Sequence, residues 1–170
     1  MEPTRRPRLK VCCIQDVDEA RLAVRLGASA LGLVSAMPSG PGVIAEETIT
    51  AIARIVPPPV ASFLLTSRQD VAGIVEQQRS TRVSTVQICD RLPPGAHREL
   101  RVALPGIALV QVVHVTGPES VEEAVTVAGE ADAILLDSGN QSLAVKELGG
   151  TGRRHDWRLS RRDVILKLLS

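Results

Sequence analysis

Aromatic residues are nearly missing from this 170-residue chain, which has one Phe, one Trp and no Tyr. A stacking surface for single-stranded nucleic acid needs more rings than that, so any core must be aliphatic. Net charge is nearly missing too: 20 basic against 19 acidic residues leave +1. No basic footprint marks the chain for nucleic acid or a membrane surface. No apolar run approaches the roughly 20 residues that span a bilayer. The basic start, Met1 to Lys10, is followed by no hydrophobic signal region.

Cysteine is scarce and odd in number, at Cys12, Cys13 and Cys89. Adjacent residues of a strand point to opposite faces, so Cys12 and Cys13 suit neither a disulfide framework nor a shared metal site. The three histidines lie far apart, without ligand spacing, and no metal is expected. A reducing compartment follows, and with it a cytoplasmic location.

Short runs rich in Val, Ile and Leu recur about every 25 residues: Leu9–Ile14, Ala30–Ser35, Val60–Thr66, Thr85–Asp90, Ala108–Val115 and Ala133–Asp137. They read as strands of a parallel sheet. Helical stretches separate them. Asp16–Leu26 opens on acids and stops at Gly27. Glu46–Val56 ends before three prolines, and Ser67–Arg79 takes Ser67 as its cap. His97–Ala103, Ser120–Gly129 and a basic Trp157–Leu169 complete the set. Alternating strands and helices predict an α/β fold, either a (β/α)₈ barrel of about six units or an open doubly wound sheet. The Gly-x-Gly-x-x-Gly signature that an open dinucleotide-binding sheet carries after its first strand is absent. Residues 1–8 read as a basic extension and 9–170 as one domain.

Barrel chemistry belongs at the carboxyl ends of strands. That rule selects Cys12, Cys13, Ser35, Gln87, Cys89, Asp90, His114 and Asp137. Asp137 ends an otherwise apolar strand, where desolvation would raise a carboxyl pKa and fit it for general acid work; it could equally cap a turn with Ser138, Gly139 and Asn140. Cys12 is either a reactive thiol, which needs a lowered pKa, or strand filling. Cys13 should face the helices. His114 can carry a proton or sit on a polar rim, whereas His97 reads as solvated. Gly149, Gly150, Thr151 and Gly152 offer backbone N–H groups to an anion, or serve as a hinge. Met37–Gly42 is a substrate loop or a plain turn.

Taken in order, these motifs resemble the phosphoribosylanthranilate isomerase family. Lys10-Val-Cys-Cys-Ile14 is similar to its Lys-(Ile/Val)-Cys-Gly-Ile opening, with Cys13 in place of glycine. Gly27–Val34, Val86–Cys89, Ile134–Asp137, Gly149–Gly152 and His155-Asp-Trp157 match further motifs across residues 9 to 160. The resemblance implies an incomplete (β/α)₈ barrel, with strands seven and eight missing. It implies an Amadori rearrangement of N-(5-phosphoribosyl)anthranilate in tryptophan biosynthesis, without cofactor. Asp137 would be the acid and Cys12 the base; Gln87, His114 and Gly149–Gly152 would bind the phosphorylated sugar. The pattern departs from the family after the second strand, where Ser39-Gly-Pro-Gly42 stands in place of a Ser-Pro-Arg segment. Self-association through open sheet edges and weak or no activity are the expectations for so short a barrel; the alternatives are an impaired barrel fragment or isoform that acts only through association, and another sugar-phosphate barrel enzyme.

Overall fold

The computed structural model describes residues 8–38, 40–138 and 158. Six strands, β1 (Lys10–Val11), β2 (Ala30–Val34), β3 (Ala61–Thr66), β4 (Thr85–Ile88), β5 (Ala108–His114) and β6 (Ala133–Asp137), form one sheet. Its order follows the sequence, and every neighbouring pair is parallel. Five helices alternate with them: α1 (Val17–Arg25), α2 (Glu46–Ile55), α3 (Val71–Thr81), α4 (Ala96–Ala103) and α5 (Glu119–Ala128). Successive right-handed crossovers that never reverse direction put all helices on one side. The contacts agree, since α1 packs on α2, α2 on α3 and α3 on α4. A doubly wound sheet would split its helices between two faces; this sheet instead curls, as part of a (β/α) barrel.

Local chemistry fixes the elements. Asp16 caps α1, its Oδ1 accepting from Glu19 N at 2.8 Å. Asp18 and Glu19 at that end, and Arg25 at the other, match the helix dipole. The helix stops where Gly27 takes a φ of +95°, a conformation that glycine adopts without strain. Its small residues Ala20 and Ala23 let it sit close to the sheet.

Alternation sorts each strand into two faces. Leu31, Leu33 and Leu64 pack with Ile49 and Ile52 of α2 and with Ala20 and Ala23 of α1. Val86, Ile88 and Leu109 pack with Ile74, Ala96 and Leu100 of α3 and α4. Each such leucine or isoleucine removed from water is worth about 1.5–3 kcal/mol. The opposite, concave face carries a separate cluster: Val34, Leu65, Cys89 and Val112, with Cys13, Met37, Phe63 and Leu135 against it.

Three expectations change here. The first strand is shorter than Leu9–Ile14, because Cys13 adopts a φ of +62° and breaks the extended run. The third helix begins at Val71, not Ser67: its cap is Asp70, whose Oδ2 accepts from Gly73 N at 2.7 Å. Ser67 still belongs to the loop leaving β3, where Arg68 N donates to Thr66 Oγ1. His97 is not solvated but 4% exposed. The Trp157–Leu169 helix and the Gly149–Gly152 loop lie outside the described residues, apart from Arg158.

Candidate active site

The carboxyl rim of the sheet gathers the titratable groups of the concave face. Cys12 stands just past β1, its Sγ lying where a side chain on Gly32 of β2 would be: a Cβ built there meets it at 2.7 Å. Gly32 alternates with the helix-facing Leu31 and Leu33, so this thiol lies on the concave side. Cys89 follows β4, His114 ends β5, and Asp137 ends β6, directly opposite His114 in register.

Cys89 reports how these groups relate. Burial pushes its thiol up to about 11. A hydrogen bond from Gln87 Nε2 to its Sγ (3.6 Å) and the charge of Lys10 work the other way, while charge on Cys12 and on Asp137 raises it further. Charges at both ends of the described sheet are therefore felt at one thiol between them. At neutral pH this thiol is a protonated, neutral group.

Below the rim Lys10 reaches across the bowl. Its Nζ donates to Gln87 Oε1 and lies 4.7 Å from the centroid of the Phe63 ring. A polar chain thus runs from β1 to β4: Lys10 to Gln87 to Cys89. Sequence reasoning selected Gln87 and Cys89 but passed over Lys10. The signal was its place two residues before Cys12, hence on the same face of the strand.

The β4 rim is clamped from both faces of the sheet. His114 Nε2 donates to Cys89 O at 3.0 Å on the concave side, and its Nδ1 is buried with no hydrogen-bond partner. Behind the sheet, Gln111 Nε2 donates to Ile88 O (3.2 Å) and Asp90 O (3.0 Å). Its Oε1 accepts from His97 Nε2 at 2.9 Å, and His97 Nδ1 lies 3.5 Å from Glu130 Oε2. His97 is therefore part of a buried support.

Cys13 does not face the helices. Its thiol donates to Pro41 O at 3.5 Å, and a Cβ on Gly42 would lie 2.5 Å from its own Cβ. Strand alternation ends at Val11, so it does not govern residue 13. Burial, helped by charge on Cys12 and Glu19, pushes this thiol up. Asp137 Oδ1 also accepts from Ser138 N at 2.6 Å; Gly139 and Asn140, the rest of the turn it was expected to cap, lie outside the described residues. No group of three or more metal-ligating side chains occurs among the described residues.

A parallel strand–helix sheet, curled with its ionisable groups on the carboxyl rim of the inner face, defines the class of (β/α) barrel proteins. No family model matches the chain. It is 30% identical over 154 residues to the N-(5'-phosphoribosyl)anthranilate isomerase of Methanocella arvoryzae, spanning 91% of this chain and 70% of that one. With isomerase 2 of Methanosarcina mazei the identity is 32% over 158 residues, spanning 92% and 69%. The crystal structure of phosphoribosyl anthranilate isomerase from Thermotoga maritima matches with a TM-score of 0.74 at 25% identity, over 91% of this chain and 70% of that one. The chain belongs to the N-(5'-phosphoribosyl)anthranilate isomerase family.

Proposed function

We propose that this chain catalyses the Amadori rearrangement of N-(5-phosphoribosyl)anthranilate to 1-(2-carboxyphenylamino)-1-deoxyribulose 5-phosphate, an intramolecular aldose–ketose isomerisation of tryptophan biosynthesis. The observation that carries the reading is the shared rim: Cys12 and Asp137 stand at the carboxyl ends of β1 and β6 on one concave face, with Cys89, just past β4, between them.

In this reading the carboxyl of Asp137 gives its proton to the ribose ring oxygen as the C1–O bond breaks, leaving an iminium at C1. The thiolate of Cys12 then removes the proton from C2. The resulting enolamine tautomerises to the C2 ketone. An acid and a base on either side of one pentose, with pKa values held apart, are what such a proton transfer needs. Gln87 and His114 would border the sugar on the β4 and β5 side of the bowl. The backbone N–H groups of Gly149, Gly150, Thr151 and Gly152 would hold the phosphate. No cofactor takes part.

The chain would act in the cytoplasm on a small phosphorylated sugar, with no part for nucleic acid or membrane; no described helix is long and apolar enough to cross one. The edges of β1 and β6, each paired on one side among the described residues, would favour self-association. One observation favours a second reading, a phosphorylated aldose without the anthranilate carboxylate: residues 35–43, after β2, contain no arginine or lysine.

Complementation of an isomerase-deficient tryptophan auxotroph tests the proposal. Growth with the wild-type chain and none with Cys12→Ala or Asp137→Asn is expected. Failure of a well-expressed wild-type chain to restore growth would overturn it, and turnover of a phosphorylated aldose lacking the aromatic acid would move support to the second reading.

A further inference from the structure

The concave face holds a cation that the proposed proton transfers leave without a role. Layers of a barrel interior are usually filled by branched aliphatic side chains. Here the layer below the rim carries Lys10, and its ammonium is fixed twice, by its hydrogen bond to Gln87 Oε1 and by the Phe63 ring. It is the lysine or arginine of the concave face among the described strands. Cys12 is two residues further along the same face, with Cα atoms about 7 Å apart at the usual rise of a strand. The Sγ is also held inward over Gly32.

We propose that Lys10 is the counter-charge for a thiolate at Cys12, its ammonium anchored on Gln87, while the second rim thiol, Cys89, remains the neutral partner. This rests on Cys12 being the base of the reading above, and deepens it by naming what makes that thiol ionise. Two thiols share one mouth, and their surroundings drive them apart. Cys12 is exposed and lies two residues beyond Lys10 on the same face; Cys89 is buried, 1% exposed, with its sulfur on the Gln87 amide, and there burial outweighs the charge of Lys10. The other titratable groups facing Cys12 are Cys13 with Glu19 behind it, Cys89 on β4, His114 on β5 and Asp137 on β6. Of these only His114, when protonated, would add positive charge. Lys10 therefore acts through Cys12 and is a positioning residue, not one that touches the reacting atoms.

The test reads the thiol directly. In a Cys13→Gly background, which the positive φ at that position accommodates, the rate of iodoacetamide alkylation of Cys12 is followed against pH by peptide mass spectrometry on the full chain. Lys10→Met should slow alkylation at pH 7 about tenfold and move the midpoint of the profile up by about one unit. Lys10→Arg should stay within about threefold of the parent. Gln87→Met, which keeps the charge but frees it, should fall between. A thermal melt checks folding, and the arginine and Gln87 variants keep the test sharp should Lys10→Met fold poorly. The same pH profile in Lys10→Met as in the parent, or a Lys10→Arg variant as slow as Lys10→Met, overturns the proposal. Because the readout is alkylation, it stands apart from complementation: a lost tryptophan phenotype with an intact profile shift removes the isomerase reading and leaves the counter-charge in place.

Discussion

Gly32 is where a single methyl group tests the placement of the candidate base. A Cβ added there would lie 2.7 Å from Cys12 Sγ, 3.3 Å from its Cβ and 3.1 Å from its Cα. The sulfur can escape by rotating to another staggered χ1 well. The Cα cannot, because Ile14 N donates to Gly32 O at 3.3 Å and holds the two segments together. Two effects should therefore separate in Gly32→Ala. The backbone contact forces a shift of a few tenths of an ångström, and together with the sulfur clash the overpacking should destabilise the chain by about 1–3 kcal/mol. For a domain of this size that lowers the Tm by roughly 2–10 °C. The rotated thiol also leaves its place over β2, so isomerase turnover should fall at least tenfold. Urea unfolding of Gly32→Ala, Cys12→Ala and the double variant forms a cycle that isolates the sulfur: the double variant should recover about 1 kcal/mol relative to the sum of the singles. Full stability of Gly32→Ala, or strict additivity in the cycle, would refute the packing argument.

Two further outcomes follow from the buried polar groups. Gln111→Leu keeps the side-chain volume but removes the donor to Ile88 O and Asp90 O and the acceptor of His97 Nε2; at about 1–3 kcal/mol for a buried group such as the His97 ring N–H left unsatisfied, the urea midpoint should drop clearly, and an unchanged midpoint counts against the clamp. Cys89 gives stability a pH dependence with a definite sign. Its folded value of about 11 lies above the ordinary 9.0. The unfolded chain therefore loses this proton first, and stability present below pH 9 falls by about 2–3 kcal/mol as the pH rises to 11. Urea unfolding at pH 8 and pH 10.5 should show that loss in the wild type and much less of it in Cys89→Ala.

Strand and helix order was legible in the sequence because nearly every element announces its period and its punctuation. Asp16 and Gly27 bracket the first helix, three prolines end the second, and six aliphatic runs stand at regular spacing. The misreadings share one cause: local patterns were carried past the point where tertiary contacts decide. Ser67 is a good cap residue, but Asp70 stands three residues before the Gly73 N–H it accepts from, and the chain up to Asp70 is still leaving β3. His97 sits in a segment of charged residues, yet its ring turns inward because Gln111, 14 residues on, offers it a buried oxygen. Cys13 was assigned a face by alternation that ends two residues earlier. At the site, strand ends could be counted, so Cys12, Gln87, Cys89, His114 and Asp137 were all selected. The reach of Lys10 to Gln87 could not be read, because 77 residues separate them and only the curl of the sheet brings them together.

The distribution of charge on the concave face bears on what the bowl can accept. Along the described strands that face carries one lysine, Lys10, at the start of β1, and one carboxylate, Asp137, at the end of β6, with His114 beside it. The two full charges stand at opposite depths, the cation toward the amino ends of the strands and the acid at the lip. Fixed charge in a walled cavity focuses its field along the open axis, so an anionic ligand is drawn past the lip toward the floor. If Asp137 is to give up a proton it must first hold one, and in that state its carboxyl adds no negative charge to the lip of the bowl. The protonation state that readies the acid is therefore the one that best admits a phosphorylated, acidic substrate.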